Sequence, residues 1–357
     1  MKPKIELLVN DKVYSGWLEA SVTRSLDAIA GSFSLSATDR WAVDSKRWEI
    51  FPGDKCQLRI DSVAIVTGWV DRASPSYDAD SHSISISGRD ATGDLVDCSA
   101  VVKSNELRGL KLEQIVSELT NPFGLSVKSE VDTGEPFARF GIQPSETVFE
   151  AINRAAQQRF MVVTTDGEGS IIIANIGEKR ATDSLIEGKN IKSAQAEYDF
   201  TRRFSEYKVI AQTHAVNDGW EDAVTSVTMT ATDENVKRYR PKIIAGETSA
   251  TLGSAQNRAE LEAAQRAGKS TRVSVVVQGW KQSDGKLWEM NSMVPVLSPY
   301  LSQDGELLIA RVQFGISDSS GMTTELGLSR PDAYLLGQLK GRKKKKGIGP
   351  DPWWCMR

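Results

Sequence analysis

VTGWVDRASPSYDADSHSISISGRDATGDLVDCSA, Val66 to Ala100, is the stretch whose reading decides the fold class. It reads as a strand, a polar loop, a second strand, and then a Gly88-Arg89-Asp90 turn into a short buried segment. In the second strand Ser83, Ser85 and Ser87 alternate with Ile84 and Ile86, so hydroxyls line one face and apolar side chains the other. That period of two marks a half-buried strand. Similar hairpins recur along the chain, and no set of catalytic residues accompanies them. The pattern predicts a part built from β-barrels rather than an enzyme.

Working back to the N-terminus, residues 1 to about 98 read as all-β. Ile5 to Val9 is a strand, and Asn10-Asp11 signals a turn. Val13 to Val22 gives a second strand with Gly16-Trp17 inside it. Ser32 to Ser36 alternates strictly. Pro52-Gly53-Asp54 is a turn before Cys56 to Ile60, which alternates again. Short strands at regular spacing with turn signals between them indicate a sandwich or barrel.

Residues 99 to about 180 change character. Leu110, Leu112, Ile115, Val116 and Leu119 have helical spacing, stopped by Asn121-Pro122-Phe123-Gly124. A second helix is expected after Pro144, with Ser145 as N-cap and Val148, Ile152, Ala155 and Ala156 as its apolar stripe. Phe160 to Thr165, Asp166 to Gly169 and Ile171 to Ile173 form a hairpin. The result is a small α/β unit set between β-rich regions.

From 181 to about 335 the chain returns to β. Tyr207 to Ala211 is a strand. Val273 to Val277 is another strand, rich in β-branched residues and continuous, expected to be covered on both faces. Between them, residues 248–268 read as a helix rich in Ala, Glu, Gln and Arg. Leu307 to Phe314 and Met322 to Leu328 form a last hairpin. It repeats the pattern of the opening stretch at low identity: strand, Ser/Asp-rich loop, alternating strand, and a turn containing Gly, Arg and Asp. Residues 336–357 carry Lys343 to Lys346 and Trp353-Trp354 without periodicity, and read as a flexible basic tail.

The composition sets bounds on function. A length of 357 residues corresponds to about two or three domains. Hydrophobic residues make up 40% and charged residues 25%, and 44 basic against 47 acidic side chains leave a formal charge of −3. That balance does not advertise nucleic-acid binding. No apolar run approaches the ~20 residues of a membrane span. The N-terminus turns polar after Val9 and is too short and strand-like for a signal peptide, so folding in a cytoplasm is expected.

Motifs with possible chemistry are few. The three cysteines, Cys56, Cys98 and Cys355, have neither metal-ligand spacing nor a disulfide framework, and Cys56 and Cys98 are expected to be small buried apolar side chains. The two histidines are His82, in the polar loop, and His214, after a strand. Neither has a supporting motif. Ala267-Gly268-Lys269-Ser270-Thr271 mimics the end of a phosphate loop. However, Ala263 stands where its first Gly is needed, and the order is helix then strand, the reverse of a phosphate loop. A helix C-cap at Gly268 explains it better. Asp78 with Asp80 and Asp94 with Asp97 lie in loops or turns and read as solvated surface rather than a converging acid–base pair. Nine tryptophans, among them Trp17, Trp41, Trp48, Trp69, Trp220, Trp280 and Trp288, sit near strand ends or loops. They read either as half-buried structural aromatics or as subunit-interface residues.

In order and spacing, several segments resemble a known family. They are Arg24-Ser25-Leu26-Asp27, Gly31-Ser32-Phe33-Ser34-Leu35, Thr67-Gly68-Trp69-Val70-Asp71, Ser87-Gly88-Arg89-Asp90-Ala91-Thr92 and Asp94-Leu95-Val96-Asp97-Cys98-Ser99. Later come Gln143-Pro144-Ser145-Glu146-Thr147-Val148-Phe149, Arg203-Phe204-Ser205-Glu206-Tyr207 and Glu289-Met290-Asn291. The chain resembles, from Val9 to about Tyr334, the baseplate hub protein of Mu-like contractile-tailed phages. That family lies in a wider group that includes the late-control protein of P2-like phages. The resemblance implies a mainly β fold with an α+β insert: two similar β-barrel domains plus a small α/β domain, assembled as a trimeric ring. Three subunits then present six barrels, matching a sixfold tail tube on one side and a threefold central spike on the other.

The implied division is a first barrel at 1–98, completed by strands from beyond 180, then an insert at 99–180. A second barrel follows at 181–335 with its helix at 248–268, and the tail is 336–357. The implied partners are two further copies, the central spike, the tail tube or tube-initiating proteins and other baseplate wedge proteins, with DNA passing without specific binding. The implied place is the virion tail baseplate, assembled in the host bacterial cytoplasm. No catalytic, cofactor-binding or metal-ligating residue is expected. Some relatives carry fused lysozyme or spike domains, and nothing in this sequence reads as either. Two other classes compete: a carbohydrate- or host-surface-binding β protein using its tryptophans, and a nucleic-acid binder using the Lys-rich tail.

Overall fold

The computed structural model describes residues 4–38, 49–79, 82–103, 106–214, 224–245 and 252–334. The fold is mainly β with a small helical part. Met1–Asn175, Val276–Asn291 and Ile309–Leu326 form one unit. Ile176–Val275, Ser292–Leu308 and Gly327–Arg357 form a second.

The first unit opens with the hairpin β1 (Ile5–Val9) and β2 (Lys12–Tyr14). Asn10 and Asp11 both have positive φ, 48° and 61°, which the primed two-residue hairpin turns require and which Asn and Asp tolerate. The single strand expected over Val13–Val22 is interrupted: Gly16 takes φ +88°, so β2 stops and β3 (Glu19–Ser25) starts separately. β4 (Ser32–Thr38), β5 (Lys55–Ile60), β6 (Val63–Tyr77) and β7 (His82–Asp90) follow, then the short α1 (Gly93–Asp97). The strand order is β3-β4-β7-β6-β5-β1-β2, antiparallel throughout. The alternation read from the sequence is real: Phe33, Leu35 and Ala37 of β4 and Ile84 and Ile86 of β7 are buried. Two details differ. His82 begins β7 and stacks on Tyr77 at 5.5 Å between ring centroids, and Gly88-Arg89-Asp90 closes β7 instead of forming a turn.

Next come β8 (Glu106–Leu107), α2 (Leu112–Thr120), a 3-10 turn at Asn121–Phe123, β9 (Ser126–Ser129), β10 (Phe140–Gly141), α3 (Val148–Gln158), β11 (Val162–Thr165) and β12 (Ser170–Ala174). β12 pairs β11 antiparallel and β9 parallel. Leu112, Ile115, Val116 and Leu119 of α2 and Val148, Ile152, Ala155 and Ala156 of α3 share one core with Ile171 and Ile173. The N-cap of α3 is Thr147, not Ser145. The Thr147 hydroxyl accepts from the Glu150 N–H at 3.2 Å, and the Glu150 carboxylate accepts from the Thr147 N–H at 2.8 Å. This reciprocal capping box leaves Ser145 in the preceding turn with φ +64°.

The second unit begins with β13 (Lys179–Arg180), β14 (Leu185–Ile186) and β15 (Ile191–Tyr198). A separate sheet, β16 (Glu206–His214), β17 (Val224–Thr232) and β18 (Pro241–Ala245), packs on α4 (Leu252–Lys269) through Val209, Ala231, Ala255 and Ala259. The expected helix at 248–268 is thus found over its described part, 248–251 lying outside the described residues. Gly268 does not cap it. A Cβ there would lie 2.2 Å from the Ala333 backbone nitrogen, so Gly268 serves the close approach of the 3-10 turn Pro331–Tyr334.

β19 (Thr271–Gln278), β20 (Ser292–Ser298), β21 (Gln303–Ser317) and β22 (Gly321–Ser329) are the last strands among the described residues. β19 alternates, with Val273, Val275 and Val277 buried on one face and Ser274 and Val276 half-buried on the other, so its second face is only partly covered. The order runs β15-β19-β22-β21-β20, with β13 and β14 along β20. Arg311–Ile316 of β21 also pairs antiparallel with Ala20–Ser25 of β3. Both paired segments lie in the first unit. None of the sheets among the described residues closes on itself.

Candidate functional site

The segments that carry the family resemblance build clamps, not a catalytic centre. The Asp90 carboxylate is buried at the end of β7. It accepts from the Gly31 N–H at 2.9 Å and the Thr92 N–H at 3.0 Å, and from the Thr92 hydroxyl. Burial pushes its pKa up, while those bonds and the nearby Arg24 guanidinium pull the other way. Arg24 is itself partly buried, which lowers its pKa, and it donates to the Thr165 carbonyl. One largely buried cluster thus ties β3, the start of β4 at Gly31, β7 and β11 together. Buried charges persist when they are paired and hydrogen-bonded.

Arg89, next to Asp90, bridges outward to Asp71 at 2.9 Å and Asp97 at 2.7 Å. These bonds raise its pKa further and hold the Asp97 carboxylate low. The glycines beside it are set by distance. A Cβ on Gly88 would lie 2.2 Å from the Trp69 carbonyl oxygen, and one on Gly68 2.2 Å from that of Arg89.

The later segments behave alike. Arg154 grips the Glu146 carboxylate with two bonds of 2.8 Å, and the Gln143 N–H adds one of 2.9 Å. Burial works to raise the Glu146 pKa, but these partners outweigh it and hold the group low. Arg203 and Asp233 form a buried two-point ion pair, Nη2 to Oδ1 at 3.0 Å, with Arg203 also over the Phe200 ring. The Asn291 amide donates to the Asn175 carbonyl at 2.8 Å.

The singled-out chemical residues do not converge. His82 lies on Tyr77. His214 ends β16. Cys56 is buried, and burial pushes its thiol up to about 12. Cys98 is exposed, contrary to expectation, because it caps α1 at the surface. Asp97 is engaged by Arg89 rather than simply solvated. Trp17, Trp280 and Trp288 are core residues, Trp280 donating to the Gly315 carbonyl at 2.9 Å. Among the described tryptophans only Trp69, 40% exposed, leaves substantial ring surface. Trp41, Trp48, Trp220, Asp80, Cys355 and the Lys-rich tail lie outside the described residues.

The surface with functional geometry is a pair of matching hairpins. β6 and β21 each have 15 residues, and β7 and β22 each have 9. Their neighbours match too, since β3-β4-β7-β6-β5 repeats as β15-β19-β22-β21-β20. Their outer halves differ. Val312 and Phe314 of β21 are buried, and β3 pairs along its edge. The equivalent half of β6 is bare: Asp71, Arg72, Ser74, Pro75, Ser76 and Tyr77 are exposed. β5 reaches no further than Trp69, and among the described residues no strand lies along β6 beyond it on that side. Sequence reading found the repeat but not the unequal covering, which depends on a pairing across hundreds of positions.

Interlocked β elements, a repeated strand path and side chains spent on backbone clamps define a β-rich scaffold protein. Comparison with known proteins gives the family. Residues 4–90 match the N-terminal model of Mu phage baseplate assembly protein GpP-like proteins, and 92–175 the second domain of baseplate hub protein gp44-like proteins. Residues 203–260 match the third domain of tail protein NMB1110-like proteins, and 251–337 the fourth domain of Mu phage baseplate assembly protein GpP. The chain is 34% identical to baseplate hub protein gp44 of Escherichia phage Mu over 355 residues, covering 97% of this chain and 93% of that one. It superposes on the 43 kDa tail protein of prophage MuSo2 from Shewanella oneidensis with a TM-score of 0.83 at 35% identity, over 93% of this chain and 99% of that one. A tail protein from Neisseria meningitidis MC58, at 22% identity, shares the fold with a TM-score of 0.78, over 93% of this chain and 99% of that one. The chain belongs to the Mu-type baseplate hub protein family. It is a structural component of a phage tail baseplate that works among other tail and baseplate proteins, and not an enzyme.

Proposed function

We propose that the chain forms a homotrimeric ring at the centre of a contractile-tail baseplate. The ring joins the sixfold tail tube to the threefold central spike and lets DNA pass during ejection. The observation that carries this reading is the duplicated five-strand path with its two hairpins of equal strand lengths. A chain built from two similar β modules offers six equivalent modules as a trimer, which reconciles sixfold with threefold neighbours. The formal charge of −3 suits a passage that must not hold DNA, since tight phosphate binding needs clustered basic side chains.

In this reading the two modules are the barrel domains, at 1–98 with strands borrowed from beyond 180 and at 181–335. Residues 99–180 brace them, and 336–357 is a tail. The family models at 4–90, 92–175, 203–260 and 251–337 are compatible with it. Assembly takes place in the host cytoplasm. Spike, tube-initiating and wedge proteins are the partners of the finished ring. The test is the native mass by sedimentation, followed by averaged electron micrographs of the main species. A trimeric ring with six lobes supports the proposal. A compact monomer at micromolar concentration overturns it.

A further inference from the structure

Within the second unit, the end of β15, the loop after it, the last turns of α4 and the start of β19 surround a cleft of about 420 Å³. Its walls carry four cations, Arg202, Arg266, Lys269 and Arg272, against three carboxylates, Glu197, Asp199 and Glu262. Two of the carboxylates are already engaged. Glu262 accepts from Arg266 Nε at 2.7 Å. Asp199 accepts from the Thr201 N–H at 2.7 Å and from its hydroxyl at 2.9 Å, closing its own turn. Arg202, Lys269 and Arg272 are exposed and close no ion pair among the described residues.

Beside the cleft, cations crowd one aromatic ring. Arg266 stands 5.3 Å from the Phe204 centroid, Arg240 5.2 Å and Lys242 5.8 Å. Arg266 also donates to the Arg202 carbonyl at 3.0 Å, and Arg240 to the Thr201 carbonyl at 2.8 Å, so two of these cations hold the loop that bears Arg202. The helix macrodipole accounts for Arg266 and Lys269, which lie in the last turn of α4. It does not account for Arg202, Arg240, Lys242 or Arg272, which lie off the helix. Gathering like charges costs stability unless an anion uses them.

We propose that this cleft binds an acidic, extended peptide segment of another protein, with Arg202, Lys269 and Arg272 taking its carboxylates. The guanidinium fork matches a carboxylate at two points. Glu197 and Asp199 repel an unbroken row of phosphates, whereas a peptide can set hydrogen-bond donors opposite them. No aromatic side chain lines the cleft, so nucleic-acid bases find nothing to stack on. The proposal does not depend on the ring, because every residue it uses lies in one unit of one chain.

The experiment follows the fluorescence anisotropy of a labelled octapeptide of alternating Asp and Ser, titrated with the full chain at low salt. Arg202→Gln with Arg272→Gln removes two cations from the cleft. Lys237→Gln with Arg238→Gln removes two exposed cations that do not line it. Lys269→Gln, at the exposed end of α4, gives a second reading inside the cleft. Saturable binding is expected, weakened about tenfold or more by the first pair and less than about twofold by the second. Lys269→Gln should weaken it as well, with thermal unfolding as in the parent chain. Equal weakening by the two pairs overturns the site in favour of diffuse charge. Tighter binding of a labelled octathymidylate than of the peptide overturns the ligand class, and no binding of the peptide overturns the proposal outright. Sedimentation of the same samples reads the ring separately, so the failure of either leaves the other standing.

Discussion

The hairpins β6–β7 and β21–β22 have the same strand lengths and matching neighbours, yet they end in different surroundings. In the outer half of β21, Val312 and Phe314 are buried and β3 closes the edge. At the corresponding places β6 carries Arg72 and Ser74, both exposed. The chain thus writes the edge that β3 covers in apolar side chains and the exposed one in polar side chains. An exposed apolar strand edge invites indiscriminate pairing, whereas polar and charged side chains keep the same backbone groups soluble until the right strand arrives.

The comparison can be broken by mutation, most strongly at the buried hairpin. Phe314→Ala should cost about 3–5 kcal/mol of stability in a urea titration, the range for deleting a buried aromatic ring. A cost near zero would mean that the β21 edge is not closed as described. Gly88→Ala should cost about 1–3 kcal/mol, because the added Cβ falls against the Trp69 carbonyl and the Phe33 ring. Gly315→Ala, whose nearest neighbour is the Thr323 hydroxyl at 3.5 Å, should be far milder, and equal losses would refute the close-approach argument.

Acid should act on the clamp between Glu146 and Arg154. The folded pKa of Glu146 is held below its ordinary value, so the unfolded chain binds the proton more readily. The stabilisation is complete above the ordinary glutamate range and fades as pH falls through it. Glu146→Gln should remove that part of the acid sensitivity and flatten stability against pH there, and an unchanged slope would count against the clamp. Arg89→Gln, which loses a half-exposed bridge to Asp71 and Asp97, should cost about 1 kcal/mol or less. Ser74→Ala on the bare half of β6 should change monomer stability by about 0.5 kcal/mol at most.

How far the sequence could be read follows from distance along the chain. Strands such as Ser32–Thr38 and the hairpin from Val63 to Asp90 were legible because an alternation of period two is local. So were α2 and the stripe of α3, although the cap was placed at Ser145 when the Thr147–Glu150 spacing held the better signal. The break at Gly16 was missed because glycine shows its conformation only through the strands it separates. The Asp90 cluster was not legible, since its partner Gly31 lies 59 positions away. Nor was the reason for Gly268, which is the turn at Ala333. Resemblance to a family singled out Arg24, Gly31, Gly88, Arg89 and Asp90, and only packing shows what they do: they hold backbones together. The repeat was visible as a pattern, whereas the pairing of β21 with β3, which makes one hairpin closed and the other open, was not.

Hydrogen exchange at single-residue resolution on the unassembled protein tests the central claim most directly. The account predicts slow exchange at the amides of Arg311–Phe314 that face β3 and much faster exchange at the amides of Asp71–Ser74 on the side of β6 away from β7. Comparable exchange at the two stretches would contradict it.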